Sequence, residues 1–258
     1  MNYEGISLSK IRSELVRLED TIIFGIIERS QFALNSTVYK PNQFKEIKCS
    51  FLEYFLHNME CVHAKVRRYT SPDEYPFTKD LPEPVLPPLD YPKILLNINP
   101  EIMQVYINNI VPAITKEGDD LNYGSSCTKD VELLQTISRR IHFGKFVAEA
   151  KFNDPKLHDK YVELIKNKDE DGIMELLTNK QVELKLLRRL KKKALIYGQE
   201  IDDQDEDMDG DGGSMPGMRL NPSLIADIYE KFIIPLTKKV EVEYLLQRLD
   251  SNFNSYNL

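Results

Sequence analysis

The sequence predicts an all-α protein, a single-domain helical bundle of about ten to twelve helices spanning residues 1–258, and three observations carry that prediction. Apolar residues recur at three- and four-residue spacing through most of the chain. Alternating apolar and polar runs bounded by turns, the mark of strands, are scarce. With 258 residues, of which 41% are hydrophobic, the chain can fill one sizeable core.

Taken in order, Ile11, Leu15, Leu18, Ile22 and Ile26 mark a first long helix, and Phe51 to Val66 a second. Seven of the 14 prolines fall between Ser71 and Pro92, which predicts an extended connector draped over the surface. Helix resumes near Glu101 and runs past Pro112. The segment GDDLNYGSSCTKD then breaks it, and Ser125, Ser126 or Thr128 is placed to cap the next helix. That helix runs through SRRIHFGKFVAEAKF to Phe152, where Asn153, Asp154 and Pro155 stop it. Shorter helices follow over 156–167, 170–177 and 179–197. Asn221-Pro222 opens a final helix to about Leu249, in which Pro235 should produce a kink. IVPAITKEG (110–118) and IIPLTKKVE (233–241) echo each other, too briefly to count as a repeat.

A net charge of −7 argues against a general nucleic-acid or anionic-membrane binder, so any anionic ligand must be caught locally. Cys49, Cys61 and Cys127 are odd in number and widely spaced, without metal-binding spacing, which fits reduced thiols. The first residues, MNYEGISLSKIRSELVRLED, show no basic region followed by an apolar run, and no stretch approaches the ~18 apolar residues of a membrane span. A cytoplasmic location is expected.

The acidic stretch 199–218 begins like a calcium loop at Asp205, Asp207, Asp209 and Gly210, but Pro216 stands where the closing bidentate acid belongs. It reads as a flexible, solvated loop, and no metal site is expected. Arg189, Lys191, Lys192 and Lys193 read as a helix-end basic run serving capping and solubility. His142 reads as a hydrogen-bonded core histidine.

Arg140 and Lys151 are harder to assign. At ~100° per residue they fall on one helix face, three turns plus roughly 20° apart, with Phe143, Gly144, Val147 and Ala148 between them. Either they pair with buried acids or the helix dipole, or they bracket an anion. Asn179 with Glu183, and Thr237 with Glu241, are further polar pairs at i, i+4, and Arg12 stands just ahead of the apolar stripe of the first helix. Converging in a bundle, this set suits a small dianion, since arginine forks match carboxylates. No Ser/His/Asp set, phosphate-cradling glycine loop or ligand cluster accompanies it.

Four blocks in register, KIRSELVRLEDTIIF, FLEYFLHNMECVHAKVRRYTSPDEYPF, SRRIHFGKFVAEAKF and PLTKKVEVEYLLQRL, resemble the fungal, all-helical, allosterically regulated chorismate mutases. The resemblance covers nearly the whole chain. It implies a homodimer that rearranges chorismate to prephenate in phenylalanine and tyrosine biosynthesis, without a cofactor. It carries the catalytic positions onto Arg12, Arg140, Lys151, Asn179, Glu183, Thr237 and Glu241. The effector positions, which take tyrosine as inhibitor and tryptophan as activator at the dimer interface, fall on Arg67, Arg68, Asn122, Gly124, Ser125 and Thr128. Leu121 departs from the pattern, standing where another member has a second asparagine, and the 197–221 loop is longer and more acidic than usual. The alternative is a non-catalytic helical regulator that binds aromatic amino acids. Loss of Arg140 or Lys151 would mark it, and both are present.

Overall fold

The computed structural model describes residues 8–87, 89, 96–199 and 221–249. The acidic stretch predicted to be a flexible loop lies, apart from Gln199, outside these residues. Among the described residues every regular element is helical: α1 (Leu8–Arg29), α2 (Phe51–Lys65), α3 (Asn99–Val105), α4 (Val111–Ile114), α5 (Tyr123–His142), α6 (Gly144–Phe152), α7 (His158–Lys166), α8 (Glu170–Leu177), α9 (Lys180–Tyr197), α10 (Pro222–Ile228) and α11 (Ile234–Gln247).

These segments join into fewer rods than the ten to twelve expected, because three boundaries continue the helical path. At two of them proline is the cause. Pro112 and Pro235 each lack an N–H and would press their ring on the carbonyl four residues back. In each case a π-helical turn precedes the proline, at Tyr106–Ile110 and Tyr229–Ile233, so that Val111 N–H reaches Tyr106 O and Ile234 N–H reaches Tyr229 O. The kink expected at Pro235 takes this form. The echo between 110–118 and 233–241 is thus a shared local device. The third junction is Phe143, a one-residue break between α5 and α6 where a single helix was expected. Counting joined segments once, eight rods remain: α1, α2, α3–α4, α5–α6, α7, α8, α9 and α10–α11.

Helix starts follow local chemistry. Ser50 and Glu53 form a reciprocal capping box on α2, while Asp169, Asn179 and Asn221 each accept an N–H at the start of α8, α9 and α10. α5 begins earlier than predicted, behind Asn122. Ser125, Ser126 and Thr128 therefore lie inside its first turns, and the hydroxyls of Ser126 and Thr128 donate back to Tyr123 O and Gly124 O.

α5 is the central rod, with α1, α2, α3 and α11 packed around it and Val131, Leu134, Ile137 and Ile141 in the core. Arg29 of α1 and Asp130 of α5 form a fully buried ion pair at 2.6 Å. The connector after α2 is less superficial than predicted. Pro72 and Asp73 are buried, and buried Glu60 accepts from the N–H groups of Phe77 and Thr78 and from the Thr78 hydroxyl. The basic run on α9 is also more than a helix-end feature: Arg189 and Lys193 reach the buried carboxylate of Glu19 on α1.

Candidate active site

Four of the seven predicted catalytic side chains meet where α5 and α6 face α11. Arg140 is 6% exposed and its Nη1 donates to Thr237 Oγ1 at 3.4 Å, while the Thr237 hydroxyl donates to Ile233 O at 2.7 Å. The Nε of Arg140 is buried and has no hydrogen-bond partner among the described residues. One turn along α11, Glu241 is also 6% exposed, and its Oε2 lies 3.5 Å from Lys151 Nζ, which donates to the last carbonyl of α8, Leu177 O, at 2.8 Å. Arg140 and Lys151 therefore close on one helix despite the break at Phe143.

Glu183 reaches this wall from α9. It pairs at 2.7 Å with Lys238, the neighbour of Thr237. Lys238 went unnoticed in the sequence because it sits among exposed-looking charges (TKKVEVE); its adjacency to Thr237 was the available signal. Asn179 is the cap of α9, not a residue inside it, and its side-chain oxygen is used by Val182 N–H at 3.2 Å. Its amide N–H groups remain for a ligand. Arg12 is exposed on α1, beside Ile11, which packs on Phe143 and Phe146.

Burial pushes the Glu241 carboxyl up from its ordinary range, and the charges of Lys151, Arg140 and Lys238 pull it back only partly. His142 is the core histidine expected: its Nε2 accepts from Ile98 N–H, its Nδ1 donates to Ser138 O and Tyr75 stacks on its ring, with its pKa lowered to about 4 by burial. Lys145, in contrast, is no surface cation. It is buried, bonded to Pro72 O and the Tyr75 hydroxyl, and its pKa is lowered to about 7 by desolvation.

The residues expected to bind effectors form two groups. Arg68 pairs with Glu74 at 3.1 Å and donates to Gln135 Oε1 in the middle of α5, and Arg67 donates to Pro87 O. Asn122, Gly124 and Ser125 are exposed at the start of α5, with Thr128 one turn on. Tyr123 and Gln135 are 12 residues apart, about 18 Å at 1.5 Å per residue, so one chain does not bring the two groups together. Leu121, 75% exposed, holds a left-handed backbone (φ 63°), a conformation that asparagine adopts more readily than leucine. Among the described residues no cluster of three or more metal-ligating side chains occurs.

Residues 123–242 match the family model described as chorismate mutase type II. The chain is 48% identical to chorismate mutase of Saccharomyces cerevisiae, covering 95% of this chain and 96% of that one. It is 44% identical to the chloroplastic chorismate mutase 1 of Arabidopsis thaliana, over 96% of this chain and 76% of that one. Its fold superposes on Aro7p chorismate mutase of Candida albicans, solved in complex with L-Trp, with a TM-score of 0.85, 44% identity, and coverage of 97% and 96%. It superposes equally on the Arabidopsis enzyme solved with tyrosine in its allosteric site, at TM-score 0.84, 42% identity, and coverage of 97% and 99%. At 48% identity over 95% of its length to one chorismate mutase and 44% over 96% to another, the chain belongs to the type II chorismate mutase family.

Proposed function

We propose that the α5–α6–α9–α11 cluster, with Arg12 of α1, is where this chain rearranges chorismate to prephenate. The observation that carries the reading is the buried, unpartnered Nε of Arg140 beside a lysine and a carboxyl of raised pKa. Buried guanidinium donors are ordinarily satisfied, so this one is open to an anion. Chorismate carries two carboxylates, and its pericyclic rearrangement needs no nucleophile, so catalysis rests on positioning and electrostatics.

Arg12 and Arg140 take the two carboxylates and lock the enolpyruvyl arm over the ring. Lys151 and Glu241 flank the ether oxygen, where negative charge grows as the C–O bond breaks. Glu183, held by Lys238, and Asn179 take the ring hydroxyl and a carboxylate, while Thr237 orients Arg140. Glu241 donates to the ether oxygen only when protonated. Its raised pKa lets the proton persist to higher pH than on an ordinary carboxyl, so activity falls as pH rises through that pKa.

The assembly is a homodimer. Met59, Val62 and Val66 form an exposed apolar stripe along α2, with exposed Val85 and Leu86 on the connector that follows it. An isologous pairing about this face sets Arg67 and Arg68 of one copy against residues 122–128 of the other, joining the two effector groups that one chain keeps apart. There the N–H groups of the first turn of α5 receive an amino-acid carboxylate. Tyrosine inhibits and tryptophan activates from this site. Free thiols at Cys49, Cys61 and Cys127 fit a reducing compartment, the cytoplasm, and the whole chain acts as a single domain.

Chorismate disappearance, followed with and without tyrosine and tryptophan, tests the reading. Absence of turnover would overturn the catalytic claim, and turnover indifferent to both amino acids would overturn the regulatory one.

A further inference from the structure

Gly144 opens α6 and is buried against α11, in a place where no side chain fits. A Cβ built there would stand 2.9 Å from the backbone oxygen of Thr237, 3.0 Å from Thr237 Cγ2 and 3.2 Å from Glu241 Cγ. The first contact is with main chain, which no rotamer change relieves. Glycine within a helix is destabilising relative to alanine, and nothing in the backbone of Gly144 calls for a positive φ. Its value lies in the approach it permits.

That approach is made to the two α11 residues that face Arg140 and Lys151. The cations on one side of Gly144 in sequence (Arg140) and on the other (Lys151) reach Thr237 and Glu241 at 3.4 and 3.5 Å. Both distances are already long, so a further separation of α6 from α11 would break both contacts. By comparison, Gly25 on α1 faces only the flexible end of Leu133, whose Cδ1 would be 3.1 Å from an added Cβ.

We infer that Gly144 is a positioning residue for the rearrangement, setting the α6–α11 spacing at which Thr237 and Glu241 engage the reacting dianion together with Arg140 and Lys151. The inference rests on the site proposed above. A Cβ at 144 pushes the α11 wall outward and widens the slot without removing any group from it.

The test is Gly144→Ala in the full-length protein, with Gly25→Ala as the control, assayed for chorismate turnover across pH after circular dichroism has verified the helical fold. A displacement on the order of 1 Å at a reacting centre can cost about 100-fold, so Gly144→Ala is expected to lower kcat by ~10- to 100-fold while Gly25→Ala stays close to wild type. The pH profile supplies a readout that general destabilisation would not move. The groups facing Glu241 are Lys151 of α6, Arg140 of α5, Lys238 of α11 and, more remotely, Tyr161 of α7. Moving Glu241 away from Lys151 and Arg140 weakens the charges that hold its pKa down, so the alkaline limb of the profile shifts to higher pH. In a Glu241→Gln background that shift disappears.

If Gly144→Ala yields no folded protein, Gly144→Ala/Thr237→Ser, which removes the methyl 3.0 Å from the added Cβ and leaves the main-chain contact to widen the slot, is read against Thr237→Ser alone with the same two expectations. Wild-type turnover with a Gly144→Ala kcat within about twofold and an unmoved alkaline limb overturns the inference and leaves the site intact. Lack of turnover in the wild type overturns the site itself.

Discussion

Two buried arginines on neighbouring helices, Arg29 and Arg140, live in opposite circumstances. Arg29 is saturated: its Nε binds Asp130 at 2.6 Å, Nη1 donates to Phe32 O and Ala33 O, and Nη2 donates to Leu34 O and the Tyr39 hydroxyl. Asp130 in turn accepts from Tyr39 and Tyr106. Among the described residues Arg140 makes a long bond to Thr237 and its Nε has no partner; its neighbour Glu241 meets Lys151 only at 3.5 Å. Burial of charge is common to both. What separates a structural ion pair from a binding site is how many donors and acceptors the fold leaves open, since an open one is stabilised only when a ligand arrives.

The contrast breaks most sharply at its structural end. Arg29→Met strands Asp130 in the core and is expected to lower stability by about 3–5 kcal/mol in denaturant titration, with activity lost only as folded protein is lost. Arg140→Ala should do the reverse. Turnover of chorismate falls ~10²- to 10³-fold, the cost of removing a charge-stabilising donor, while the thermal midpoint hardly moves. If Arg140→Ala unfolds the protein as readily as Arg29→Met, the distinction between the two sites is wrong.

Glu241→Gln sharpens the comparison further. The carboxyl donates only below its raised pKa, whereas an amide donates at every pH, so the fall of wild-type activity on the alkaline side should flatten in the variant. A pH–rate profile that keeps its wild-type shape would remove Glu241 from the ether oxygen. The smallest effect is expected at Lys238, which holds a partly exposed Glu183. Lys238→Met should raise KM about two- to fivefold, in line with the ~0.2–1 kcal/mol of accessible ion pairs. In a Glu183→Gln background it should change nothing more.

Much of the fold was legible in the sequence because helical periodicity and stop signals are local. The last residue of α6, the span of α8 and the opening of α10 at Asn221-Pro222 coincide with the predicted ones. The errors lie where local signals compete. Pro112 read as passed over and Pro235 as a simple kink, whereas each is met by a π-helical turn. The connector's prolines read as surface, and Glu60, Asn99 and Lys145 drew its first residues inward. Asn179 read as part of a helical face and is a cap.

By itself the sequence determined the all-helical class, the placing of most helices and, through spacing and resemblance, the set of side chains that form the candidate site. Each of these depends on residues close in the chain or on recurring motifs. Only the tertiary structure decided which buried charges are satisfied and which stay open. It separated Arg29 from Arg140, buried Lys145 away from the site, brought Lys238 to Glu183, and showed that Gly144 admits α11 to contact. Those outcomes depend on groups up to about a hundred residues apart meeting within a few ångströms, and hydrogen bonding and desolvation act only at that range.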